Sequence, residues 1–362
     1  MSFLKLDTQP ETPPPVTYEA LGYLRNPFPQ RGEVSREIYV ERPELSGLQN
    51  ALGSFLTDPG AAGGFWALRG DAGLGKSNCL QHINYEIEIA SQRNLLRGVS
   101  SRYIGNQPIS SRNLVEQLLH ALGSEHLRQL LGQRAVPPPA LRDTDLGRFL
   151  AAFHANPELS DVDGAQFLMK WLGGNQTYSE ERDRYGLWTR EKMNPAVAFP
   201  YLRDLLEMLA EHRLLTRVVL LLDEFEEVQR LPEATQRDYV GSLKSLVNVF
   251  NWQRLFLVIS GQDAVFTTIE QRFTSIKDRW RTATLAPLLE AKDAVQLARS
   301  YQNAARDAYL SRHRLSDPPS LQPSEKDVMA RFAGLMKKET RGVKHRDLLS
   351  ALHEDVEALA RP

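Results

Sequence analysis

The chain is poor in the features that mark secreted and membrane-spanning proteins. It has a single cysteine, Cys79, which excludes an internal disulfide and fits a reducing compartment. No stretch approaches the roughly 20 apolar residues of a membrane helix. The N-terminal sequence MSFLKLDTQPETPPPV lacks the apolar core of a signal peptide. We therefore expect a cytoplasmic protein with no membrane partner.

An excess of charge of either sign is also missing. Lys and Arg number 44 and Asp and Glu 45, so the formal net charge is −1. This balance excludes a general attraction to nucleic acid or to an anionic membrane, although a local basic face remains compatible with it. The eight histidines are scattered, without a spacing that suggests zinc.

Apolar patterning divides the 362 residues into three regions. Residues 1–18 are rich in Pro, Thr and Gln and are predicted to form a disordered tail. Residues 19–288 show strands alternating with amphipathic helices, which is typical of an α/β domain with a parallel sheet. A helical insert is predicted at about residues 132–196. Residues 289–362 show three helical patterns, which predict a separate helical domain.

Several short apolar segments predict the strands of the sheet. The segments around 217–222 and 254–261 are almost entirely aliphatic, as expected of strands covered on both faces. The predicted strands lie in FWALR (65–69), GVSSRYI (98–104), RVVLLLDEFEEV (217–228), RLFLVISG (254–261) and TATLAPL (282–288). Ligands of open α/β sheets bind at the carboxyl ends of such strands, so polar residues at those ends are candidates for a site.

The sequence GDAGLGKS, residues 70–77, fits the P-loop or Walker A pattern between a predicted strand and a predicted helix. Its glycines allow a tight turn whose N–H groups, with the helix N-terminus, cradle a phosphate. Lys76 is expected to bridge the β- and γ-phosphates of ATP, and Ser77 to bind Mg²⁺. A glycine turn that merely precedes Lys-Ser is the alternative. The predicted nucleotide-binding residues are Gly70, Asp71, Ala72, Gly73, Leu74, Gly75, Lys76, Ser77 and Asn78.

An acidic pair follows the aliphatic run in VVLLLDE, as in a Walker B motif. Asp223 is expected to hold the Mg²⁺, and Glu224 to position or activate the attacking water as a general base. The alternative is that these acids simply solvate the end of the strand. Glu226 and Glu227 are interpreted as a solvated helix start.

A polar group that senses the γ-phosphate is expected on a neighbouring strand. LFLVISGQ offers Ser260 and Gln262 at the end of such a strand. Ser260 is preferred because it directly follows the apolar run. A strand-ending turn at Ser-Gly is the alternative.

Together these motifs resemble the AAA+ ATPases, and most of all the branch that contains origin-recognition/Cdc6-type and STAND-like ATPases. RNPFP followed by VERPELSGL resembles the segment by which these proteins enter the nucleotide domain and line the adenine pocket. The resemblance covers about residues 20–360. It implies a P-loop NTPase with a parallel sheet sandwiched by helices, a C-terminal all-helical lid, and Mg²⁺-dependent hydrolysis of ATP.

A narrower resemblance involves the insert. FLMKWLGGNQTYSEERDRYGL followed by LLLDEFEEVQRL is similar to ATPases of BREX-type phage-resistance islands, which carry a comparable Trp-Leu-x-Gly insert before Walker B. This resemblance implies a role in antiviral defence or in a mobile-element system. It makes other proteins of the same system, and double-stranded DNA, candidate partners.

The AAA+ resemblance also implies a homo-oligomeric ring or filament in which a neighbour's arginine completes each site. EQRFTSIKDRWR contains the candidates Arg272 and Arg279, and a solvated, charge-rich helix face is the alternative for both. In TRGVKHRDLL, Arg346 is expected to face the nucleotide, with Arg341 as second choice.

The sequence ends at Pro362, directly after the lid, whereas origin-recognition proteins continue into a winged-helix domain. DNA binding through such a domain is therefore not expected, and we expect DNA at loops that line the assembly. The predicted function is an ATPase whose nucleotide state controls oligomer assembly and that acts on DNA. A STAND-like, nucleotide-gated signalling or scaffold protein that binds a protein partner without DNA is one alternative. A small-molecule kinase is another.

Overall fold

A computed structural model describes residues 18–31, 33–105, 110–134, 136–188, 193–250, 254–313 and 319–361. The tail predicted at residues 1–18 lies outside the described residues, apart from Tyr18. The chain divides into two compact units. The larger contains Arg42–Ala72 and Lys76–Leu285, and the smaller contains the residues up to Glu41, Gly73–Gly75 and the residues from Ala286 onward.

A single parallel sheet forms the centre of the larger unit. Its strands are β1 (Gly64–Arg69), β2 (Val99–Ile104), β3 (Arg217–Leu222), β4 (Leu255–Gly261) and β5 (Arg281–Thr284). They are ordered β2-β3-β4-β1-β5, and each neighbouring pair is parallel. β4 is buried along its whole length and β3 nearly so, because both faces of the sheet are covered. The five predicted strands and the α/β class are confirmed.

The strands end level with one another. Ser260 of β4 lies opposite Leu68 of β1, and Leu222 of β3 lies opposite both Ile259 of β4 and Ile104 of β2. The chain therefore leaves four neighbouring strands at the same edge of the sheet. This is the edge at which open α/β sheets bind their ligands.

Helices cover the sheet and connect its strands. In the larger unit they are α1 (Ser46–Thr57), α2 (Lys76–Gln92), α3 (Ser111–Leu122), α4 (Ser124–Gly132), α5 (Asp145–Ala155), α6 (Asp161–Leu172), α7 (Ser179–Arg184), α8 (Pro195–Glu211), α9 (Glu233–Phe250), α10 (Asp263–Arg272) and α11 (Thr274–Lys277). Short 3₁₀ helices occur at Pro43–Leu45, Pro139–Leu141 and Phe225–Arg230. α2 follows β1 directly after the predicted P-loop, as its sequence pattern requires.

The region predicted as a helical insert contains α5, α6 and α7. These helices pack around an aromatic cluster whose ring centroids lie 4.5 to 6.1 Å apart. The cluster consists of Phe149, Phe153, Phe167 and Tyr185. α6 ends at Leu172, directly before Gly173 and Gly174. These aromatic residues belong to the same buried core cluster as the apolar residues of the sheet.

Close packing at Gly147 gives a test of this arrangement. A β-carbon on Gly147 would lie 1.8 Å from the carbonyl oxygen of Leu141, so the backbone itself would have to move. We expect Gly147→Ala to lower the free energy of unfolding by about 1–3 kcal/mol, measured by urea denaturation. The matched control is Gly241→Ala in α9, where an added β-carbon meets nothing within 4 Å and should stabilise by up to about 1 kcal/mol. Equal destabilisation by both substitutions would contradict the packing described.

The described part of the smaller unit is helical. α12 (Ala291–His313), α13 (Glu325–Met336) and α14 (His345–Ala360) confirm the three predicted C-terminal helices. Ser324 and Asp327 form a capping box at the start of α13. Phe28, from the RNPFP segment, is 1% exposed and packs in the same core as Tyr301, with ring centroids 6.3 Å apart.

The structure also bears on membrane-spanning helices and on the single cysteine. No helix among the described residues is both long enough and apolar enough to cross a bilayer. Cys79 is 4% exposed, and burial raises the pKa of its thiol to about 12. A thiol held in its protonated form is unreactive, and a buried free cysteine packs as a small apolar residue.

Candidate nucleotide site

The predicted P-loop lies between β1 and α2. β1 ends at Arg69 and α2 begins at Lys76, so the strand–loop–helix context of the motif is present. Gly73 and Gly75 have φ values of +87° and +93°, which residues with a side chain rarely adopt. A β-carbon on Gly75 would meet nothing within 4 Å, so the backbone path, and not a lack of space, requires glycine there.

Lys76 is buried at the start of α2. The residue is 7% exposed, and its Nζ donates hydrogen bonds to the carbonyl oxygens of Gly70 at 2.7 Å and Asp71 at 3.0 Å. A buried ammonium group needs such partners, and the loop itself supplies these two. The positive charge is therefore held against the loop that the motif predicts to bind phosphate.

The other predicted nucleotide-binding residues differ in exposure. Asp71 and Ala72 are exposed, Leu74 is buried, and Ser77 and Asn78 are half-buried in the first turn of α2. Backbone N–H groups of a first helical turn have no partner within the helix, and together with the helix dipole they favour an anion. The first turn of α2 can therefore bind a phosphate group.

Asp223 lies at the centre of a hydrogen-bond network at the strand ends. Its Oδ1 accepts from the backbone N–H of Glu224 at 2.9 Å and from the hydroxyl of Ser260. Its Oδ2 accepts from the hydroxyl of Tyr103 at 2.9 Å. The backbone N–H of Asp223 donates to the carbonyl oxygen of Ile104 at 2.8 Å. Residues of β2 and β4 therefore hold the carboxylate in one orientation.

Of the two predicted sensor residues, Ser260 contacts the acidic pair. Ser260 is fully buried, and its hydroxyl donates to the Asp223 carboxylate. Gln262 is the N-cap residue of α10 and makes no capping hydrogen bond with its side chain. Within the described part of the chain, Ser77 forms no hydrogen bond with Asp223.

Glu224 has an unusual backbone conformation. Its φ of +58° and ψ of +43° lie in the left-handed region, which costs a residue with a side chain about 1–3 kcal/mol and is concentrated at functional sites. Burial raises the pKa of its carboxyl group, and the negative charge of Asp223 raises it further. A carboxylate with a raised pKa is the stronger general base near neutral pH.

Glu226 and Glu227, interpreted as a solvated helix start, lie in the first turn of the 3₁₀ helix and are both half-buried. Glu227 forms an ion pair with Arg230 at 2.7 Å on the 3₁₀ helix and is partly exposed, as a solvated helix start requires. Glu226 instead has a buried Oε2 for which the described residues offer no hydrogen-bond partner. A β-carbon on Gly261 would lie 3.2 Å from that oxygen, so the carboxylate packs against the end of β4.

The candidate trans-acting arginines lie between β4 and β5 in the chain. Arg272 ends α10 and donates to Oε1 of Gln236 at 3.3 Å. Arg279 is exposed between α11 and β5. In the described ranges neither hydrogen-bonds to Asp223 or Glu224. Both remain predictions for residues that act on a neighbouring subunit.

Arg346 and Arg341 belong to the smaller unit. The backbone N–H of Arg346 donates to the carbonyl oxygen of Gly73, also of that unit, at 3.1 Å. A β-carbon on Gly73 would lie 3.3 Å from Cβ of Arg346. Arg341 is exposed and precedes α14. Of the two arginines, the structure brings Arg346 to Gly73.

Tyr103 and Gln81 are not among the residues predicted from the sequence. Tyr103 is the penultimate residue of β2, and its hydroxyl accepts a hydrogen bond from Nε2 of Gln81 at 3.2 Å. The signal that identified Ser260, a polar group at the carboxyl end of a predicted strand, is also present at Tyr103. An aromatic residue in a strand is usually interpreted as a packing residue, so its hydroxyl is not counted among the candidate polar groups.

Over the ranges that the structure describes, no group of three or more His, Cys, Asp or Glu residues could hold a metal ion.

The acidic pair lies within a segment that resembles a known family. Residues 139–283 match the family model "BREX system ATP-binding protein BrxC/D". The matched segment contains Asp223, Glu224 and Ser260 and ends within β5. The P-loop at residues 70–77 precedes it. The BREX-type resemblance predicted from the insert and the acidic pair is confirmed over these residues. No curated protein matches the chain.

Solved structures of origin-recognition proteins are among the structural matches. The Aeropyrum pernix ORC1 protein in complex with DNA has 17% sequence identity and a TM-score of 0.43, over 89% of this chain and 62% of that chain. The ADP form of the Aeropyrum pernix ORC2 protein has 12% identity and a TM-score of 0.41, over 91% and 73%. A Walker-type ATPase of Pyrococcus abyssi has 13% identity and a TM-score of 0.37, over 94% and 76%.

This chain thus spans less than two thirds of the ORC1 chain, 62%. At these TM-scores the likenesses add no further argument, and the fold follows from the strand order and register of the sheet. The origin-recognition resemblance predicted from the sequence recurs among the matches.

Proposed function

We propose that this chain is a Mg²⁺-dependent ATPase of a BREX-type phage-defence system, whose nucleotide state controls oligomer assembly and which acts on double-stranded DNA. One observation supports the ATPase above all others. A P-loop follows β1 and an acidic pair follows β3, at the same edge of one parallel sheet, and Ser260 of the intervening β4 is hydrogen-bonded to Asp223. Phosphate binding and activation of water both need groups at such an edge.

The residues of the P-loop fit a nucleoside triphosphate. Lys76 places a buried ammonium against the loop carbonyls, and the dipole at the N-terminus of α2 favours phosphate oxygens. ATP is also the ligand in the name of the matched family. Lys76 would bridge the β- and γ-phosphates, and the loop backbone would hold the β-phosphate.

The acidic pair fits a Mg²⁺ ion and an attacking water. Ser77 and Asp223 are oxygen donors of the kind that Mg²⁺ prefers, with few protein ligands and several waters. Mg²⁺, when bound, neutralises charge on the phosphate oxygens. Glu224 would position the water and accept its proton, and Ser260 would hold Asp223 while sensing the γ-phosphate. The raised pKa of Glu224 suits the general-base role.

Assembly and DNA are the further parts of the proposal. The AAA+ resemblance implies that Arg272 or Arg279 enters the site of a neighbouring subunit, where it would stabilise charge on the transferring phosphoryl group. Arg346, whose backbone N–H donates to the carbonyl oxygen of Gly73, would contact the nucleotide, as the AAA+ resemblance implies. The net charge of −1 makes a broad basic DNA surface unexpected, so DNA would bind at loops that line the oligomer.

Turnover with and without DNA tests the proposal. We expect ATP hydrolysis that requires Mg²⁺ and rises about fivefold or more with double-stranded DNA, measured by phosphate release at low salt. Chelation of Mg²⁺ is the control. Hydrolysis indifferent to DNA, with nucleotide-dependent binding of a protein partner, would contradict the DNA part and favour a signalling or scaffold protein. Absence of hydrolysis under every condition would contradict the ATPase itself.

A further inference from the structure

We propose that Tyr103 is a positioning residue that orients the Asp223 carboxylate toward the metal, and that Gln81 holds the Tyr103 hydroxyl from α2. This proposal rests on the proposed function, because it concerns the Mg²⁺ that Asp223 would bind. Tyr103 and Gln81 lie outside the P-loop and the acidic pair, and their effect on metal affinity can be measured.

The hydrogen-bond donors around Asp223 are divided between its two carboxylate oxygens. Oδ1 accepts two hydrogen bonds, from Ser260 and from the backbone of Glu224. Oδ2 accepts from Tyr103 at 2.9 Å, and no other donor to Oδ2 is found among the described residues. A carboxylate rotates about its last bond unless both oxygens are held. The phenol of Tyr103 is therefore the group that fixes the plane of the carboxylate.

The bond between Tyr103 and Asp223 runs from the phenol to the carboxylate. A phenolic O–H is a hydrogen-bond donor, whereas an ionised carboxylate only accepts. A phenol donates one hydrogen bond, and here the acceptor is the carboxylate. Such charge-assisted bonds are stronger than those between neutral groups.

Gln81 holds the phenol of Tyr103 in turn. The amide of Gln81 donates to the Tyr103 hydroxyl at 3.2 Å, so one neighbour donates to the hydroxyl and another accepts from it. Gln81 lies in α2, the helix that begins with Lys76 and Ser77. The network therefore joins the helix of the P-loop to the acid after β3. Gln81 follows Ser77 by about one turn of α2, and Asp223 is the acceptor at the other end of the network.

Gly105 leaves the space in which the phenol lies. A β-carbon on Gly105 would lie 2.8 Å from the Tyr103 hydroxyl and 3.2 Å from its ring. The hydroxyl end of a tyrosine can shift with little cost to the rest of the fold. Gly105→Ala is therefore a second way to displace the hydroxyl without removing it.

The experiment measures metal affinity and not only turnover. The probes are a fluorescent, non-hydrolysable ATP analogue titrated with Mg²⁺, and Mn²⁺ followed by electron paramagnetic resonance. We expect Tyr103→Phe to weaken the affinity for either metal about tenfold, as changes to the groups that hold metal ligands do. Affinity for the analogue in the presence of a chelator should be unchanged. Gly105→Ala and Gln81→Met should shift metal affinity in the same direction by less.

Tyr239→Phe is the matched control. Tyr239 is also buried and lines a cavity together with Asp223, yet in the described chain it is not hydrogen-bonded to that carboxylate. We expect it to leave metal affinity unchanged, and melting temperatures report whether each variant folds. Equal metal affinity in Tyr103→Phe and wild type would overturn the role of Tyr103 and leave the ATPase intact. If the wild-type protein itself binds no nucleotide and no metal, both proposals fail.

Discussion

Replacing Lys76 with alanine is expected to weaken the binding of ATP by about 100-fold or more and to abolish hydrolysis. The ammonium group is buried and held by the carbonyl oxygens of Gly70 and Asp71. Its removal would leave phosphate charge without its counter-charge, and breaking such a buried charge pair costs about 2–5 kcal/mol. The measurement is a titration with a fluorescent ATP analogue, followed by phosphate release at saturating ATP.

Lys277→Ala is the matched control for this substitution. It removes the same positive charge from an exposed position at the end of α11, and it should leave both affinity and turnover as in the wild type. Melting temperature separates loss of the site from loss of the fold. Full affinity for the nucleotide in a folded Lys76→Ala protein would end the interpretation of residues 70–77 as a P-loop.

The strands and the loop after β1 were predictable because each depends on a short, local sequence pattern. RVVLLL and LFLVISG are almost continuous aliphatic runs, and a strand of this kind must be covered on both faces. GDAGLGKS combines fixed spacing with glycines whose φ values require glycine. The order β2-β3-β4-β1-β5 is not local, because it depends on which strands pair across long stretches of chain.

The less predictable parts depend on contacts between distant residues. α5 is capped by Thr144 and packs through aromatic rings to α6 and Tyr185, and no periodic run marks it clearly in the sequence. Tyr103 meets Asp223 across 120 positions of the chain. Glu226 looks like a solvated acid by position, yet the end of β4 covers one of its oxygens. Such environments follow from the fold and not from the motif.

Glu224→Gln is expected to lower the rate of ATP hydrolysis about 100- to 10,000-fold, the range that general acid–base catalysis supplies. The amide preserves the size of the side chain but cannot accept a proton from water. Because Lys76, Ser77 and Asp223 are untouched, affinity for ATP should remain close to that of the wild type. Phosphate release at saturating ATP and a binding titration measure the two effects separately. Glu227→Gln, which removes a nearby acid paired with Arg230, should retain most of the activity.

The pH dependence of the wild-type protein should show the raised pKa of Glu224. A general base must be deprotonated, so hydrolysis falls as the pH falls through that pKa, which lies above the ordinary value of 4.5. Burial is the main cause, and nearby acids, Asp223 before Glu226, add to it. We therefore expect Glu226→Gln to move the acid limb of the rate profile to lower pH. An acid limb at the ordinary pKa of glutamate, unmoved in Glu226→Gln, would count against Glu224 as the base.

The same shift fixes the sign of the effect on stability. The folded state holds the Glu224 proton more tightly than the unfolded state does, so stability falls as the pH rises from the ordinary pKa through the raised one. Glutamine removes that loss, and Glu224→Gln should be at least as stable as the wild type at pH 7. Its loss of hydrolysis could then not be assigned to unfolding.

A folded, ATP-loaded Glu224→Gln protein should also accumulate as oligomers, because hydrolysis no longer resets the assembly. Mass photometry measures the size of these oligomers. Monomers at saturating ATP would contradict nucleotide-controlled assembly while leaving the chemistry of Glu224 in place.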